Sequence, residues 1–283
     1  MKKLIVVLGP TAVGKTAYAI ELAKSLKTEI ISADSRQLFK ELNIGAARPS
    51  LVELSAVPHH FIATASIEDD YSAGRYEREA LDTLEQLFQR YTTVVCCGGS
   101  MLYVDALVNG LDELPKDRNV RERWSDRFKQ NGIEDLQSEL KQVDPEYYTQ
   151  VDLQNPHRLI RALEVCEVSG RKYSELRKSL SKPRDFAVEK IGLEMHRERL
   201  YCRIDERVLA MMEAGLLSEV KSLIPYRHLP ALNTVGYKEL FEYLDGACSL
   251  DEAVSKIQQH TRNFAKRQLT WWRRDPEIRW VGA

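Results

Sequence analysis

The chain has 283 residues, enough for one large domain or two modest ones. Its hydrophobic content of 43% and charged content of 29% are ordinary for a globular protein, and no apolar stretch reaches the length of a membrane span. The formal net charge of −1 gives no global indication of nucleic-acid binding, so any basic surface must be local. The five cysteines lack metal-ligand or disulfide-framework spacing, and we therefore expect free thiols and a cytoplasmic location.

A phosphate-binding loop is predicted close to the N-terminus. The apolar run Leu4–Leu8 predicts a buried strand and leads into Gly9-Pro10-Thr11-Ala12-Val13-Gly14-Lys15-Thr16, which fits the pattern Gly-x-x-x-x-Gly-Lys-Ser/Thr. Residues Lys15–Leu26 follow with helical spacing. In such a loop the backbone amides surround a phosphate, Lys15 adds a positive charge and the Thr16 hydroxyl ligates Mg²⁺. The sequence therefore predicts a phosphorylated substrate.

Two further predicted strands end in polar residues. Glu29–Asp34 runs into Ser35-Arg36-Gln37, and Thr92–Cys97 is closed by Gly98-Gly99-Ser100. Between them, Ser72 is expected to cap a helix that runs to Arg90. This alternation of strands and helices predicts a parallel sheet with all three polar segments at its carboxyl edge. At that edge, Asp34 could be a metal ligand, a general base or a cap for the residues that follow.

The pattern becomes helical in the middle of the chain. We assign 112–185 to a helical insertion domain, and 1–111 together with 186–283 to the α/β core. Within the insertion, His157 and Arg161 lie one turn apart on the same helix face. Predicted elements after it are a strand at Ala187–Met195, a long helix at Leu200–Ile224 and a last strand at Glu277–Val281.

Arginines and aromatic residues suggest where anions could bind. Arg203 and Arg207 lie one turn apart on the predicted long helix. They could be solvated surface residues in weak ion pairs, or they could bind an anion together with the pair His157 and Arg161. The segment Thr261–Arg274 carries five cations interleaved with Phe264, Trp271 and Trp272. It predicts an amphipathic helix whose cations face RNA, with Trp271 in the core rather than on a stacking surface.

An expected acidic motif is missing. Nucleotidases with a phosphate loop usually have a second apolar strand that ends in Asp. The corresponding strand here, Thr93–Cys97, ends in glycine and serine instead. This disfavours an ATP-hydrolysing motor and is compatible with binding of a phosphate ester or pyrophosphate.

Taken together, the motifs resemble those of the bacterial tRNA dimethylallyltransferases (tRNA isopentenyltransferases) over nearly the whole chain. The segments that carry the resemblance are Gly9–Thr16, Ser32–Gln37, Asn43-Ile44-Gly45, Gly98–Tyr103, Asn155–Glu164, Val235-Gly236-Tyr237 and Ala265–Trp271. The resemblance implies an α/β fold with a P-loop NTPase or nucleotide-kinase-like parallel sheet and a helical insertion that contacts tRNA. It also implies a monomer with no membrane association.

The resemblance further implies transfer of a dimethylallyl group from dimethylallyl diphosphate to the exocyclic amine of the adenosine immediately 3′ of the anticodon. The loop Gly9–Thr16 would then hold a pyrophosphate leaving group. Asp34 would accept the amine proton, Lys15 and Arg207 would neutralise the leaving group, and Thr16 would ligate Mg²⁺ or the pyrophosphate.

Contacts to the tRNA anticodon stem-loop are likewise implied by the resemblance, and the target base must be flipped out to react. They map to Asp34, Ser35, Arg36, Gln37, Ser100, Arg121, His157, Arg158, Leu159, Ile160, Arg161, Asn233, Thr234, Val235, Gly236, Tyr237 and Lys238. Two positions depart from the family pattern. Ala46 stands where the family has Thr, which loses that hydroxyl, and Ser100 replaces the commoner Thr, which keeps it.

Three alternatives are compatible with parts of the sequence. An ATP-dependent small-molecule or nucleotide kinase could use the same loop. A prenyltransferase acting on free AMP would need neither the helical insertion nor the basic C-terminal segment. A non-catalytic RNA-binding protein would not need an intact Gly14-Lys15-Thr16 or Asp34.

Overall fold

The computed structural model describes residues 1–178 and 182–283 and separates into two compact units. The first, which we call the sheet unit, comprises Met1–Val108 and Pro183–Ala283. The second, the helical unit, is Asn109–Lys182. Within the described residues, no helix combines the length and the apolar character needed to cross a membrane.

A single six-stranded sheet with entirely parallel pairing organises the sheet unit. Its strand order is β3-β2-β4-β1-β5-β6. The strands are β1 (Lys3–Leu8), β2 (Ile30–Ser32), β3 (His59–His60), β4 (Thr93–Cys97), β5 (Ala187–Glu194) and β6 (Ile278–Gly282). The predicted α/β fold with a parallel sheet is confirmed. Because β2, β4 and β1 are adjacent and parallel, the loops after their carboxyl ends lie side by side.

Helices cover the sheet, and a separate helical set forms the second unit. In the order of the chain they are α1 (Lys15–Leu26), α2 (Leu51–Ala56), α3 (Ala73–Leu87), α4 (Met101–Asn109), α5 (Arg118–Asn131), α6 (Ile133–Val143), α7 (Pro145–Gln150), α8 (Pro156–Ser169), α9 (Tyr173–Leu176), α10 (Arg197–Glu213), α11 (Leu216–Ser222), α12 (Tyr237–Leu244) and α13 (Leu250–Trp272). Two single-turn 3₁₀ helices lie at Ile224–Tyr226 and Pro230–Leu232. The predicted cap of α3 is confirmed, since the Ser72 hydroxyl accepts a hydrogen bond from the Arg75 amide.

The predicted helix over Leu200–Ile224 is wrong in its length. Helix α10 ends at Glu213, and Gly215 takes a left-handed conformation with φ of 99° before α11 begins. A residue with a Cβ disfavours this conformation, so glycine allows the chain to turn here. The apolar periodicity continues across the break, which is why it predicted one helix.

Side chains of β1 alternate between two hydrophobic clusters. Leu4, Val6 and Leu8 pack on one face of the sheet, whereas Ile5 and Val7 pack on the other. Burial on both faces explains the continuous apolar run before the phosphate loop. The helical unit has its own core, centred on Trp124, Leu136, Leu140, Leu159 and Leu163.

Candidate active site

The phosphate loop joins β1 to α1 in a backbone conformation that requires glycine. Gly9 has φ of 142°, and a Cβ built there would lie 2.5 Å from the Leu193 carbonyl oxygen on β5. Gly14, with φ of 108°, precedes α1 without a capping side chain. The first-turn amides of α1 therefore point out of the helix without a side-chain acceptor, as in other anion-binding helix N-termini.

Two cations belong to this loop region, and neither forms an ion pair with a carboxylate within residues 1–178 and 182–283. The Lys15 ammonium donates a hydrogen bond of 2.7 Å to the Pro10 carbonyl. Burial lowers the pKa of Lys15 to about 8, although Cys97 and Asp34 nearby act in the opposite direction. The Arg207 guanidinium reaches the Thr11 hydroxyl at 3.4 Å, and burial also lowers the pKa of Arg207. Such cations are stabilised by an anionic ligand.

Asp34 lies at the carboxyl end of β2 and closes a tight turn. Its Oδ1 accepts hydrogen bonds from the amides of Arg36 at 2.9 Å and Gln37 at 3.2 Å. The capping interpretation of Asp34 is therefore correct for one oxygen, and Oδ2 takes no part in these bonds. Asp34 also interacts electrostatically with Lys15, Arg36 and Arg207. The fold thus brings the Asp34 carboxylate within electrostatic range of three cations.

Hydroxyl and amide groups connect the neighbouring loops. The Ser100 hydroxyl accepts the Ser35 amide at 2.8 Å and lies 3.1 Å from the Ser35 hydroxyl, which joins the loops after β4 and β2. The Gln37 amide nitrogen donates to the Ala47 carbonyl at 3.0 Å and to the Ala46 carbonyl at 3.4 Å. Ala46 therefore contributes its backbone carbonyl to these contacts.

Glu219 on α11 is a supporting residue that sequence reasoning missed. Its carboxylate accepts the amides of Asn43 at 3.2 Å, Ile44 at 2.8 Å and Gly45 at 3.0 Å. It also accepts the hydroxyl of Tyr237 at 2.6 Å. One side chain thereby holds two motifs, Asn43-Ile44-Gly45 and Val235-Gly236-Tyr237, to each other. No local pattern predicts this role, because the partners are far apart in the chain.

A buried carboxylate on α12 shapes the 233–238 segment. Glu239 is fully buried and accepts the Gly236 amide at 2.7 Å, while its other oxygen bonds to His260 at 2.6 Å. Within the segment, Asn233 and Lys238 are exposed, and Thr234 and Val235 are half-buried. Gly236 and Tyr237 are buried, and Tyr237 has no exposed surface. The Tyr237 side chain is therefore a support for the segment rather than a surface for RNA.

Predicted tRNA contacts in the helical unit fall into two groups. His157 and Arg158 are exposed at the start of α8, whereas Leu159 and Ile160 are core residues with exposures of 0% and 7%. The side chains of Leu159 and Ile160 are therefore not available to RNA in this structure, because both lie on the face of α8 that packs into the core of the helical unit.

Two of the arginines predicted to contact tRNA, Arg121 and Arg161, share one buried acid. Glu164, 1% exposed, pairs with Arg121 at 2.7 Å and with Arg161 at 2.9 Å. Arg161 also donates to the Pro115 carbonyl at 2.9 Å. Both guanidiniums thus organise the unit, and the more exposed one, on Arg121, keeps half of its side-chain surface accessible.

The basic C-terminal segment comprises the end of α13 and the two arginines that follow it. Its exposed cations are Lys266, Arg267, Arg273 and Arg274, while Arg262 pairs with Asp205. The expectation that Trp271 lies in the core is wrong: Trp271 is 37% exposed, and the adjacent Trp272 is buried at 3%. The rotation of α13 about its axis determines which of the two tryptophans is buried, because successive side chains of a helix point about 100° apart.

Magnesium would have few protein ligands in this region. Among the described residues, no group of three or more His, Cys, Asp or Glu side chains could hold a metal ion. The half-buried Thr16 hydroxyl and the Asp34 carboxylate are oxygen donors of the kind that Mg²⁺ prefers. Mg²⁺ commonly uses only one or two protein oxygens and takes the rest from phosphates and water. The donor set therefore fits a metal that a bound diphosphate would carry.

The parallel sheet, the phosphate loop and the carboxylate after β2 define a nucleotide-kinase-like P-loop fold. The sequence model of the IPP transferase family matches residues 37–275, and the chain belongs to this family. It is 50% identical over 281 residues to tRNA dimethylallyltransferase 1 of Bacteroides thetaiotaomicron, covering 99% of this chain and 91% of that protein. The Christiangramia forsetii tRNA dimethylallyltransferase is 49% identical over 278 residues, covering 98% of this chain and 92% of that protein.

Solved structures agree with the fold. The full-length tRNA isopentenylpyrophosphate transferase of Bacillus halodurans superimposes with a TM-score of 0.73 at 33% identity, covering 100% of this chain and 90% of that one. A eukaryotic dimethylallyltransferase acting on tRNA gives a TM-score of 0.80 at 26% identity, covering 100% of this chain and 74% of that one. The family model begins at residue 37, but the full-length matches extend over the phosphate loop and Asp34 as well.

Proposed function

We propose that the chain is a tRNA dimethylallyltransferase. It transfers a dimethylallyl group from dimethylallyl diphosphate to the exocyclic amine of the adenosine immediately 3′ of the anticodon and releases pyrophosphate. The observation that carries the proposal is that Lys15 and Arg207, two half-buried cations bonded to the phosphate loop, both interact electrostatically with Asp34.

The cations account for departure of the leaving group. When the bond between the allylic carbon and the diphosphate oxygen breaks, its electron pair moves to the diphosphate and adds negative charge there. Lys15, Arg207 and the first-turn amides of α1 would stabilise that charge where it develops. Their partial burial strengthens the interaction, since water screens it less than it would at an exposed surface.

Asp34 accounts for the other half of the reaction. The adenine amine forms the new carbon–nitrogen bond and must lose a proton, which Asp34 Oδ2 would accept. The bonds from the Arg36 and Gln37 amides to Oδ1 fix the carboxylate plane, so that Oδ2 keeps one direction. Mg²⁺ would be held by Thr16 and the diphosphate, and it would supply charge neutralisation for the leaving group.

Recognition of tRNA would use accessible polar groups of both units. In the sheet unit these are the half-buried Ser35, Arg36, Gln37 and Ser100, together with the exposed part of the 233–238 segment. In the helical unit they are His157, Arg158 and the accessible parts of Arg121 and Arg161. Such groups can contact backbone phosphates and the base edges of an anticodon loop. The exposed cations of α13 would add phosphate contacts.

The test is incubation of the protein with labelled dimethylallyl diphosphate, Mg²⁺ and bulk tRNA, followed by nucleoside analysis. We expect isopentenyl-adenosine in the tRNA and one pyrophosphate released for each group transferred. Asp34→Asn should abolish most of the transfer while it leaves tRNA binding intact, because the amide cannot accept the proton. Consumption of ATP without dimethylallyl diphosphate would indicate the kinase alternative, and transfer to free AMP would indicate the AMP-prenylating one.

A further inference from the structure

Gln268, on the basic helix α13, makes an unusual set of contacts with the phosphate loop. The side chain is 1% exposed. Its Oε1 accepts the Thr11 amide at 2.8 Å, and its Nε2 donates to the Gly99 carbonyl at 2.8 Å. One carboxamide therefore joins the loop after β1 to the loop after β4, and both of these hydrogen bonds are to backbone groups.

We propose that Gln268 is a positioning residue for the diphosphate site. It holds the Pro10-Thr11 stretch of the phosphate loop at the distance from Gly99 at which Lys15 and Arg207 face a bound diphosphate. This inference rests on the proposed function, since it assigns a role within the same site.

The contacts connect Gln268 to both cations. Fixing the Thr11 backbone also fixes the Thr11 hydroxyl, to which Arg207 donates at 3.4 Å. The preceding residue, Pro10, provides the carbonyl that receives the Lys15 ammonium at 2.7 Å. A shift of this short segment would therefore move the partners of Lys15 and Arg207 together.

Packing around Gly99 supports the same conclusion. A Cβ added at Gly99 would lie 2.5 Å from Gln268 Nε2 and 3.5 Å from Lys15 Nζ. The absence of a side chain at this position leaves room for the carboxamide beside the ammonium. The three groups thus share one small space at the carboxyl edge of the sheet.

A carboxamide suits this position better than other side chains of similar size. The Thr11 amide needs an acceptor and the Gly99 carbonyl needs a donor, and glutamine provides both. Methionine would fill the volume but would leave both backbone groups unpaired, which is costly when they are buried. Glutamate would satisfy Thr11 only, and it would place a negative charge near Lys15 and the diphosphate.

The inference is tested by binding of inorganic pyrophosphate, measured by calorimetry, together with steady-state kinetics. For Gln268→Met we expect about a tenfold weaker pyrophosphate affinity, a similar rise in KM for dimethylallyl diphosphate, and an unchanged affinity for tRNA alone. Gln268→Glu should lose more affinity, because it adds charge repulsion. The control is Gln259→Met, at an exposed position of the same helix, which should resemble the unsubstituted protein.

A purely structural role would lower the melting temperature without changing these constants in the folded protein. A folded Gln268→Met variant that binds pyrophosphate normally would overturn the inference. Gly99→Ala is the second variant, because its methyl group displaces the carboxamide without altering Gln268, and it should weaken pyrophosphate binding in the same way. If the unsubstituted protein itself neither binds pyrophosphate nor transfers the prenyl group, the proposed function fails instead.

Discussion

The low pKa of Lys15 predicts that pyrophosphate binding depends steeply on pH. The pKa of about 8 means that the ammonium is about nine-tenths charged at pH 7 and about one-tenth charged at pH 9. A bound anion favours the charged form, so the complex takes up a proton wherever free Lys15 is neutral. Since only the charged form attracts pyrophosphate, the contribution of Lys15 to the affinity should fall about tenfold between pH 7 and pH 9.

Calorimetry with inorganic pyrophosphate at several pH values would measure this effect. Lys15→Arg provides the reference, because arginine stays charged throughout this range and pyrophosphate ionises identically in both titrations. The ratio of the two affinities should therefore change about tenfold from pH 7 to pH 9. Comparison of the binding heat in buffers with different ionisation enthalpies measures the number of protons taken up on binding. That number should increase from pH 7 to pH 9. If both proteins showed the same pH profile, the lowered pKa of Lys15 would be refuted.

Three further predictions concern the framework of the site. Glu219→Ala should lower the free energy of unfolding by about 3 kcal/mol in a denaturant titration, since it removes the acceptor for one buried hydroxyl and three amides. The control Glu213→Ala, at an exposed position, should change the free energy of unfolding little. Gly9→Ala should destabilise the protein by more than about 2 kcal/mol and abolish pyrophosphate binding, and normal binding would contradict the required close approach of β5. Trp272→Ala should cost about 3–5 kcal/mol and Trp271→Ala far less, so equal losses of stability would refute the assigned helix phase.

Much of the fold was predictable because its signals are local. The phosphate loop is eight consecutive residues, and the apolar strands before it and at Thr93–Cys97 are short continuous runs. Their alternation with helices predicted the parallel sheet, which in turn predicted that Asp34 and Ser100 would lie near the loop. The errors were also local in origin, since periodicity alone did not resolve the break at Gly215 or the phase that separates Trp271 from Trp272.

By itself, the sequence determined that a phosphate loop follows a buried strand and which residue types surround it. Only the tertiary structure decided which distant side chains complete the site. Gln268 meets Thr11 across 257 positions, and Glu219 meets Gly45 across 174. Such contacts arise when helices pack against the sheet edge, and no pattern within one segment encodes them. Hydrogen bonding selects the partners, because a buried backbone amide or carbonyl must find a complementary group wherever the fold supplies one.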